Sequence, residues 1–282
     1  MQSADYITQR MAKCDIMCLN ETWLRPLELG IIGDVLKTSP LFATSDSFNV
    51  FAKSGMGDIE PDYSGRPFGG VAIIIKKNNA FTVQAIEVNS DRVVAVGLYT
   101  NSGSLKQVIT CVYMPFHDGG RPENTIIFTE TVDAMQAIVD TYAPSASVKF
   151  FGDFNAQLPT CKKLHINWFK AKGFTKHCSI LCDFLTGNDM LVADFIQKQP
   201  TNYTYFCHAN NHYTWIDHVF CLSRDAHEII HCHIVPEDAD NVSDHLPLRT
   251  VFNIELDSVD TGMSKLNNDI SCMVKPDWSK YV

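Results

Sequence analysis

The chain has 282 residues, of which 45% are hydrophobic and 20% charged, and its formal net charge is −9. No stretch approaches the ~18 uncharged apolar residues that a membrane span needs, and residues 1–14 contain no apolar run of the signal-peptide type. We therefore expect an intracellular protein, nuclear or cytoplasmic, with no membrane association. The negative charge argues against tight non-specific binding of nucleic acid through lysine and arginine alone, although a bound cation could supply positive charge at a phosphate site.

The ten cysteines are scattered along the chain without a CxxC pair. A chain of this length can bury a core without disulfides, so we interpret them as free thiols of a reducing compartment. Cysteines four residues apart, as at Cys14 and Cys18, are expected to be small apolar side chains on buried faces.

Short apolar runs, rich in β-branched and aromatic residues and bounded by turn residues, predict nine strands. They are residues 14–19, 69–77, 92–100, 107–114, 147–151, 201–207, 213–222, 228–235 and 247–256. Apolar residues spaced three and four apart predict helices over residues 4–14 and 128–142, and Thr175 is placed to cap a third helix. Many strands with few helices between them indicate an α+β sandwich, in which two stacked sheets carry helices on their outer faces.

Two segments lack these patterns. Residues 40–66 contain proline, glycine, serine and aspartate and are predicted to form a long loop. Residues 257–282 are polar and without a period, so we expect a linker or tail after a domain that covers residues 1–256.

Polar side chains of one chemical kind lie at or near the ends of four predicted strands. They are Glu21 in CLNETW, Asp153 and Asn155 in GDFN, Asp217 in WIDHVF, and Ser243, Asp244 and His245 in SDHLPL. Carboxylates with an imidazole and a carboxamide suit a hard divalent cation and a phosphodiester, because Mg²⁺ takes oxygen ligands and hydrolysis needs an oriented water and donors for the developing charge.

Most of these groups also have a plainer interpretation. Glu21 alone could be a solvated strand end, GDFN a turn with Asx hydrogen bonds, and SDH a helix cap or surface loop. Asp217 is different, because a carboxylate in an apolar and aromatic strand is costly to bury without a partner. An imidazolium partner would have its pKa raised by the carboxylate and could then donate to a phosphoryl oxygen.

In their order along the chain, LNETWL, GGVAIIIK, VYMP, GDFNA, YTYF with YTWIDHVF, and SDHLPL resemble the motifs of the endonuclease/exonuclease/phosphatase family. The sequence is most similar to the endonuclease domains of non-LTR (LINE-type) retrotransposons, from about residue 3 to residue 256. The resemblance implies a four-layer α/β/β/α sandwich of two mixed sheets. It also implies a phosphodiesterase that uses Mg²⁺, or alternatively Mn²⁺, to nick DNA, with no obligate protein partner.

The resemblance also implies a role for each matching residue. The implied catalytic residues are Tyr113 at the scissile phosphate, Asp153 at the attacking water, Asn155 beside it, and Asp217 paired with His245. The implied metal ligands are Glu21 and Asp244, and Thr204 matches a threonine near the DNA-contacting surface. Ser243 in the SDH loop and Arg66, a basic loop residue, are further candidates for substrate binding.

The sequence departs from the family at its N-terminal end. The family begins with a strand that ends in a metal-side asparagine, whereas this sequence begins at about the first helix. We therefore expect one central strand to be missing, a sheet edge to be exposed, and the reaction to be slowed on the order of 10²-fold. The ending KPDWSKYV resembles the linker to a reverse transcriptase, which favours a fragment of a larger element.

Two other functions remain open at this point. One is a phosphatase of the same superfamily that acts on small phosphoesters, which the acidic charge favours. The other is a catalytically inactive binding module that retains the fold. The histidines at 208, 212, 227, 231 and 233 are interpreted as polar strand faces rather than zinc ligands, and Ser243 lacks the GxSxG context of a nucleophile. DNA contacts are expected from basic residues in loops, namely Arg66, Lys76, Lys77, Arg121, Lys162 and Lys163.

Overall fold

The computed structural model describes residues 2–43, 47–57, 65–77, 81–119, 121–159, 174–236, 241, 243–254 and 266–274. The helices are α1 (Gln2–Ala12), α2 (Gly30–Thr38), α3 (Pro122–Tyr142) and α4 (Lys176–Gly187). The strands are β1 (Ile16–Asn20), β2 (Phe48–Lys53), β3 (Val71–Lys76), β4 (Thr82–Ile86), β5 (Val93–Tyr99), β6 (Leu105–Tyr113), β7 (Ser147–Asp153), β8 (Met190–Val192), β9 (Tyr205–Cys207), β10 (His212–Thr214), β11 (Asp217–Leu222), β12 (Ile229–Ile234), β13 (Leu248–Ile254) and β14 (Leu266–Val274).

The strands form two six-stranded mixed sheets and a short hairpin. The first sheet has the order β12-β13-β14-β1-β3-β2, the second has the order β4-β5-β6-β7-β11-β8, and β9 pairs with β10. One apolar cluster, around Met11, lies between α1, α2 and the first sheet. A second, around Phe151 and Phe252, lies between the sheets, and a third, around Leu181, lies under α3 and α4. This is the four-layer α/β/β/α sandwich that the sequence predicts.

The two-residue period of the strands decides which side chains face the space between the sheets. In β7, Phe150 packs in the cluster under α3 and α4, and Phe151 packs between the sheets. Asp153 is therefore on the same side of the strand as Phe151. In β1, Cys18 packs between the sheets, and Asn20 on that side donates from Nδ2 to the Val112 carbonyl oxygen of the second sheet at 2.5 Å.

The nine predicted strands and three predicted helices are present with shifted bounds. The predicted run 213–222 divides into β10 and β11, and Thr175 caps α4 by accepting a hydrogen bond from the Cys178 amide at 3.2 Å. The prediction of an uninterrupted loop over 40–66 was wrong, because β2 lies within it. β2 is a half-buried edge strand beside β3, so it lacks the apolar signal of a central strand.

The second correction concerns β14. Residues 257–282 were expected to be a polar linker or tail, yet Leu266–Val274 pairs in parallel with β1 and antiparallel with β13. Hydrogen bonding on both sides stabilises a strand whose sequence, LNNDISCMV, has little strand propensity. The position beside β1, which was expected to be empty, is therefore filled by β14 in the part of the chain that the structure describes.

The remaining expectations concern cysteines and membrane segments. Eight cysteines in the described ranges are free thiols, and all of these except Cys207 are buried. No helix in the described ranges has the length and hydropathy to cross a bilayer.

A buried ion pair holds the end of the sheets where β7 begins. The Lys149 side chain is fully buried, and its Nζ donates to Glu228 Oε2 and Gln107 Oε1 at 2.5 Å and to Ser147 Oγ at 2.8 Å. We expect Glu228→Ala to lower the free energy of unfolding by about 3–5 kcal/mol, because it leaves a buried ammonium without its carboxylate. Lys149→Met is expected to cost less, since it removes the charge itself. Urea unfolding measures both, and an equal or larger loss for Lys149→Met would contradict this.

His177 in α4 is expected to make stability depend on pH. Its ring stacks on Phe128 at 4.1 Å, and burial, followed by the charge of His117, lowers the pKa of His177 to about 4. Asp118, Lys176 and Thr125 also face it. Because the unfolded chain takes up this proton below pH ~6.5 and the folded chain does not, stability is full above pH ~6.5 and falls towards pH 4.

Urea unfolding of the wild type and of His177→Gln at pH 7.5 and pH 5 measures this dependence. The variant should lose less stability than the wild type between the two pH values. An equal loss in both proteins would assign the acid sensitivity to other groups.

Candidate active site

Five of the predicted site residues are linked to one another at one edge of the sandwich. Tyr113, at the end of β6, lies opposite Asp153, at the end of the parallel strand β7. Asp217, at the start of β11, lies opposite Asp153 on its other side. Asp217 also contacts His245, and Tyr113 contacts Glu21. Strands from both sheets thus bring these side chains to one place, as the sequence predicts.

Asp217 and His245 form a buried pair. Asp217 Oδ2 lies 2.8 Å from His245 Nδ1, and the two side chains are 2% and 4% exposed. Burial alone lowers the pKa of His245, but the charge and hydrogen bond of Asp217 outweigh it and raise this pKa to about 9. His245 is therefore an imidazolium at neutral pH. It is the partner that the sequence predicts for the buried carboxylate of Asp217.

Thr204 and the SDH loop fix the geometry of this pair. Thr204 Oγ1 accepts hydrogen bonds from the amides of Ile216 and Asp217 at 3.1 and 3.0 Å. Ser243 Oγ accepts from the His245 amide at 3.0 Å, and the Asn241 side chain donates to the His245 carbonyl oxygen at 2.9 Å.

Asp153 is almost fully buried and is oriented by Asn155. Its Oδ1 accepts from the Asn155 amide at 2.8 Å and its Oδ2 from Asn155 Nδ2 at 3.2 Å, while the same Nδ2 donates to the Met114 carbonyl oxygen at 2.8 Å. Burial, followed by the charges of Asp217 and, more weakly, Glu21, raises the pKa of Asp153 well above its ordinary value, against the opposing effect of His245. A carboxylate of raised pKa is a stronger base than an exposed one.

The first residue of the GDFN motif, Gly152, lies where a side chain has no room. A Cβ at this position would lie 1.9 Å from the Val112 carbonyl oxygen and 3.0 Å from Asn20 Nδ2. Only glycine leaves room for the Asn20 side chain of the first sheet to reach this carbonyl group of the second sheet. The two sheets are therefore joined directly behind Asp153.

Glu21, Tyr113 and Arg92 form the other side of the site. Tyr113 donates from its hydroxyl to Glu21 Oε1 at 2.5 Å. Burial, followed by the charge of Glu21, raises the pKa of Tyr113, so the phenol keeps its proton. Arg92 donates from Nη1 to the Tyr113 carbonyl oxygen at 3.3 Å, with its guanidinium 5.3 Å from the Tyr113 ring.

Two further residues lie beside these groups, Arg92, which was not anticipated from the sequence, and Tyr205, for which the sequence left both a core and a groove position open. Arg92 opens the run RVVAVGLYT, where an arginine is an ordinary strand-end residue, so only its position against Tyr113 reveals it. Tyr205 packs its ring 4.6 Å from that of His245. Burial raises the pKa of Tyr205 to about 12, and Asp244 and Glu21 also raise it. Asp244 is half-buried and directly precedes His245 in the chain.

Some residues that were expected to contact substrate or DNA lie away from these side chains or are buried. Thr204 is buried and braces Asp217, although substrate contact was expected of it. Lys76 and Lys77 lie at the other end of β3, since Val71 is the residue paired with Asn20 next to Glu21. Lys162 and Lys163 lie outside the described residues.

The described residues fit a divalent metal ion. Asp153, Asp217 and His245 each present a ligand atom, and these atoms lie within 4.8 Å of one another. Asp217 Oδ1 is buried and accepts no hydrogen bond from any residue in the described ranges. Since His245 Nδ1 is engaged by Asp217, the carboxylates are the better ligands, and oxygen ligands suit a hard cation.

A sequence profile described as the endonuclease/exonuclease/phosphatase family matches residues 1–245. The chain belongs to this family. Members of the family are hydrolases that act on phosphoesters, nucleases among them. No curated protein sequence matches the chain.

Solved structures have the same fold as this family member. The endonuclease domain of TRAS1, a telomere-specific non-LTR retrotransposon, is 15% identical with a TM-score of 0.54, over 90% of this chain and 91% of that one. The AP endonuclease LMAP from Leishmania major is 16% identical with a TM-score of 0.61, over 88% and 81%. The APE2 catalytic domain from Xenopus laevis is 18% identical with a TM-score of 0.60, over 93% and 91%. At these identities the similarity shows the fold alone.

Proposed function

We propose that the chain is a divalent-metal-dependent phosphodiesterase that nicks DNA, an endonuclease of the retrotransposon type. The observation that supports it best is the buried Asp217–His245 pair directly beside Asp153 in a member of a phosphoester-hydrolase family. Several of the similar structures are DNA-processing enzymes, the TRAS1 endonuclease domain and an AP endonuclease among them. Those similarities support DNA as the substrate.

Mg²⁺, or Mn²⁺ in its place, would neutralise charge on the phosphoryl oxygens and acidify a water molecule. By the resemblance, Glu21 and Asp244 would hold it, and Asp217 Oδ1 is a further buried oxygen available to it. Metal binding by carboxylates also explains why so many of them are tolerated at one edge of a sandwich.

The chain's own residues have complementary tasks in this reaction. Asp153 orients the attacking water and takes its proton, because its pKa is raised. Asn155 holds both oxygens of Asp153 in place. The His245 imidazolium donates from Nε2 to a phosphoryl oxygen, since Nδ1 faces Asp217. The Tyr113 phenol, oriented by Glu21, lies where it can donate to the same phosphate group.

The test is the nicking of supercoiled plasmid in Mg²⁺, in Mn²⁺ and in a chelator. We expect nicked circles from the wild type only with metal, and almost none from Asp153→Ala or His245→Ala. Asp34→Asn, an exposed carboxylate on α2, is the matched control and should nick like the wild type. Equal nicking by the wild type, Asp153→Ala and His245→Ala would assign the activity to a contaminant and overturn the proposal.

A phosphatase acting on small phosphoesters is the second candidate. The net charge of −9 favours it, and a 3′ phosphatase from Neisseria, bound to a product DNA hairpin, has the same fold with a TM-score of 0.57. Release of inorganic phosphate from a nucleotide or an inositol phosphate, without nicking of plasmid, would identify this activity instead.

A further inference from the structure

The loop that carries Glu21 is held in an unusual backbone conformation. Glu21 and Trp23 have φ values of 51° and 52°, a left-handed conformation that is rare for a residue as bulky as tryptophan. Backbone hydrogen bonds hold the loop, from Trp23 to the Gly69 carbonyl oxygen at 2.9 Å and from Thr22 to that of Gly70 at 3.3 Å. Strain of this kind persists where the surrounding structure enforces it, often at functional sites. The indole of Trp23 is therefore fixed two residues from Glu21.

The packing around Gly70 shows how closely the loop is held. A Cβ at Gly70 would lie 2.3 Å from Thr22 Oγ1. The GG pair that precedes β3 thus lets the Glu21 loop lie directly against the chain that carries residues 66–70. This close approach places Arg66 next to Trp23.

Arg66 is exposed, and its guanidinium carbon lies 3.8 Å from the centroid of the Trp23 ring. That distance is well inside the ~6 Å limit of a cation–π contact. No carboxylate in the described ranges lies within ion-pair distance of Arg66. An acidic protein thus holds a planar cation over an aromatic ring beside the loop that carries Glu21.

Two pairs of cationic and aromatic side chains lie near Glu21. Arg66 contacts Trp23, two residues further along the loop, and Arg92 contacts Tyr113, whose hydroxyl donates to Glu21. Phe68, 43% exposed, lies two residues from Arg66. Aromatic rings and guanidinium planes bind single-stranded nucleic acid by stacking on its bases, while the cations contact the backbone. A small phosphoester without a base offers nothing for such a surface to stack on.

We propose that Arg66, held over the ring of Trp23, is a stacking platform for an unpaired nucleobase next to the phosphate that is cleaved. The proposal rests on the proposed function and narrows its substrate to polynucleotides in which that base is unstacked, as in a single strand, a frayed end or a mismatch. Arg66 is the contacting residue, and Trp23 is a positioning residue that keeps the guanidinium plane in place.

The test compares Arg66→Ala, Arg66→Lys, Trp23→Ala and Trp23→Phe with the wild type. The first readout is the Kd for a fluorescein-labelled single-stranded oligonucleotide, measured by anisotropy in Ca²⁺. We expect Kd to rise about 10-fold for Arg66→Ala and Trp23→Ala, since stacking contributes about 5- to 150-fold per base. Trp23→Phe should fall between wild type and Trp23→Ala, because it keeps a ring. Arg66→Lys should resemble Arg66→Ala, because lysine keeps the charge but not the plane.

The second readout is the ratio of kcat/KM for an oligonucleotide to that for bis(4-nitrophenyl) phosphate, a diester with no base. Arg66→Ala should lower this ratio about 10-fold. Arg10→Ala is the matched control, since Arg10 also lies on an aromatic ring, that of Tyr6 at 4.9 Å, on α1; it should change neither Kd nor the ratio.

If Arg66→Lys keeps the wild-type Kd and the wild-type ratio of kcat/KM values, the positive charge of residue 66 is sufficient. That result would overturn the proposal that Arg66 stacks on a base. An unchanged Kd in both alanine variants would overturn it as well. Failure of the proposed function would give a different result, because the wild type would then cleave none of the substrates in the presence of metal. The Kd measurements would still decide whether Arg66 binds a base.

Discussion

Replacement of Asp217 with asparagine is expected to lower the rate of DNA cleavage by about 10³- to 10⁴-fold, the size of effect known when the carboxylate behind a catalytic histidine is lost. The substitution keeps the shape of the side chain but removes the charge that raises the pKa of His245 to about 9. A buried histidine without that charge would be neutral at pH 7.5, so the proposed donor to the phosphate would be lost. Initial rates of plasmid nicking, with thermal melting to confirm folding, measure the effect.

The chain offers a matched control in a second buried aspartate–histidine pair, whose histidine lies on β11. Asp194 Oδ2 lies 2.9 Å from His218 Nδ1, both side chains are fully buried, and Asp194 also accepts hydrogen bonds from Trp215 Nε1 and the Val219 amide at 2.9 Å. Because side chains alternate along β11, His218 points away from the side of Asp217. Asp194→Asn should therefore lower stability while cleavage by the folded protein continues.

Non-additivity gives a second check on the Asp217–His245 pair. If the two residues act as one unit, the double variant Asp217→Asn/His245→Gln should be no slower than the slower of the two single variants. Rate losses that multiply in the double variant would show that Asp217 and His245 act independently. A rate loss in Asp194→Asn as large as that in Asp217→Asn would show that general damage to β11 explains both.

The candidate site residues could be proposed from the sequence because they lie at or near the ends of apolar strands. A run such as SVKFF has strand length and buried composition, so the polar residue that follows it lies at the edge of a sheet. The argument for Asp217 was sharper, since a buried carboxylate requires a partner. It predicted that there would be a partner, and the resemblance selected His245.

Other features of the site depend on contacts that no local pattern records. Thr204 precedes a short strand and could as well face solvent; only the fold shows its hydroxyl beneath the amide of Asp217. Arg92 has the sequence context of any strand-end arginine. Trp23 follows Glu21 in the motif LNETWL, but its stack with Arg66 joins residues 43 positions apart in the chain.

The strands that were missed are those whose stability comes from neighbours rather than from their own composition. β2 is a half-buried edge strand that depends on β3. β14 is polar over Asn267–Asp269, and both of its partners lie far away in the sequence. Strand propensity measures how well side chains fit a sheet. It does not record whether two neighbouring strands have free hydrogen-bonding groups between them.

Removal of β14 is therefore expected to prevent folding of the first sheet. β14 has five residue pairs with β1 and seven with β13, which corresponds to about ten hydrogen bonds at about 1 kcal/mol net each. A loss of about 10 kcal/mol is as large as the whole stability of an ordinary domain, about 5–15 kcal/mol. A chain that ends at residue 254 should accordingly aggregate or unfold without cooperativity, since β13 and β1 would both present open edges.

The matched control is a chain that ends at residue 274, which keeps β14 and should melt like the full chain. The two truncations also test whether hydrolysis needs β14. β1 leads directly into Glu21, β13 begins three residues after His245, and β14 is the strand that joins them in the sheet. Without β14 the spacing between Glu21 and His245 is no longer set by hydrogen bonding. The proposed metal-dependent hydrolysis should therefore be lost together with cooperative unfolding. If the chain ending at 254 melts and hydrolyses like the chain ending at 274, β14 is not needed for folding or activity, and residues 257–282 act as a tail.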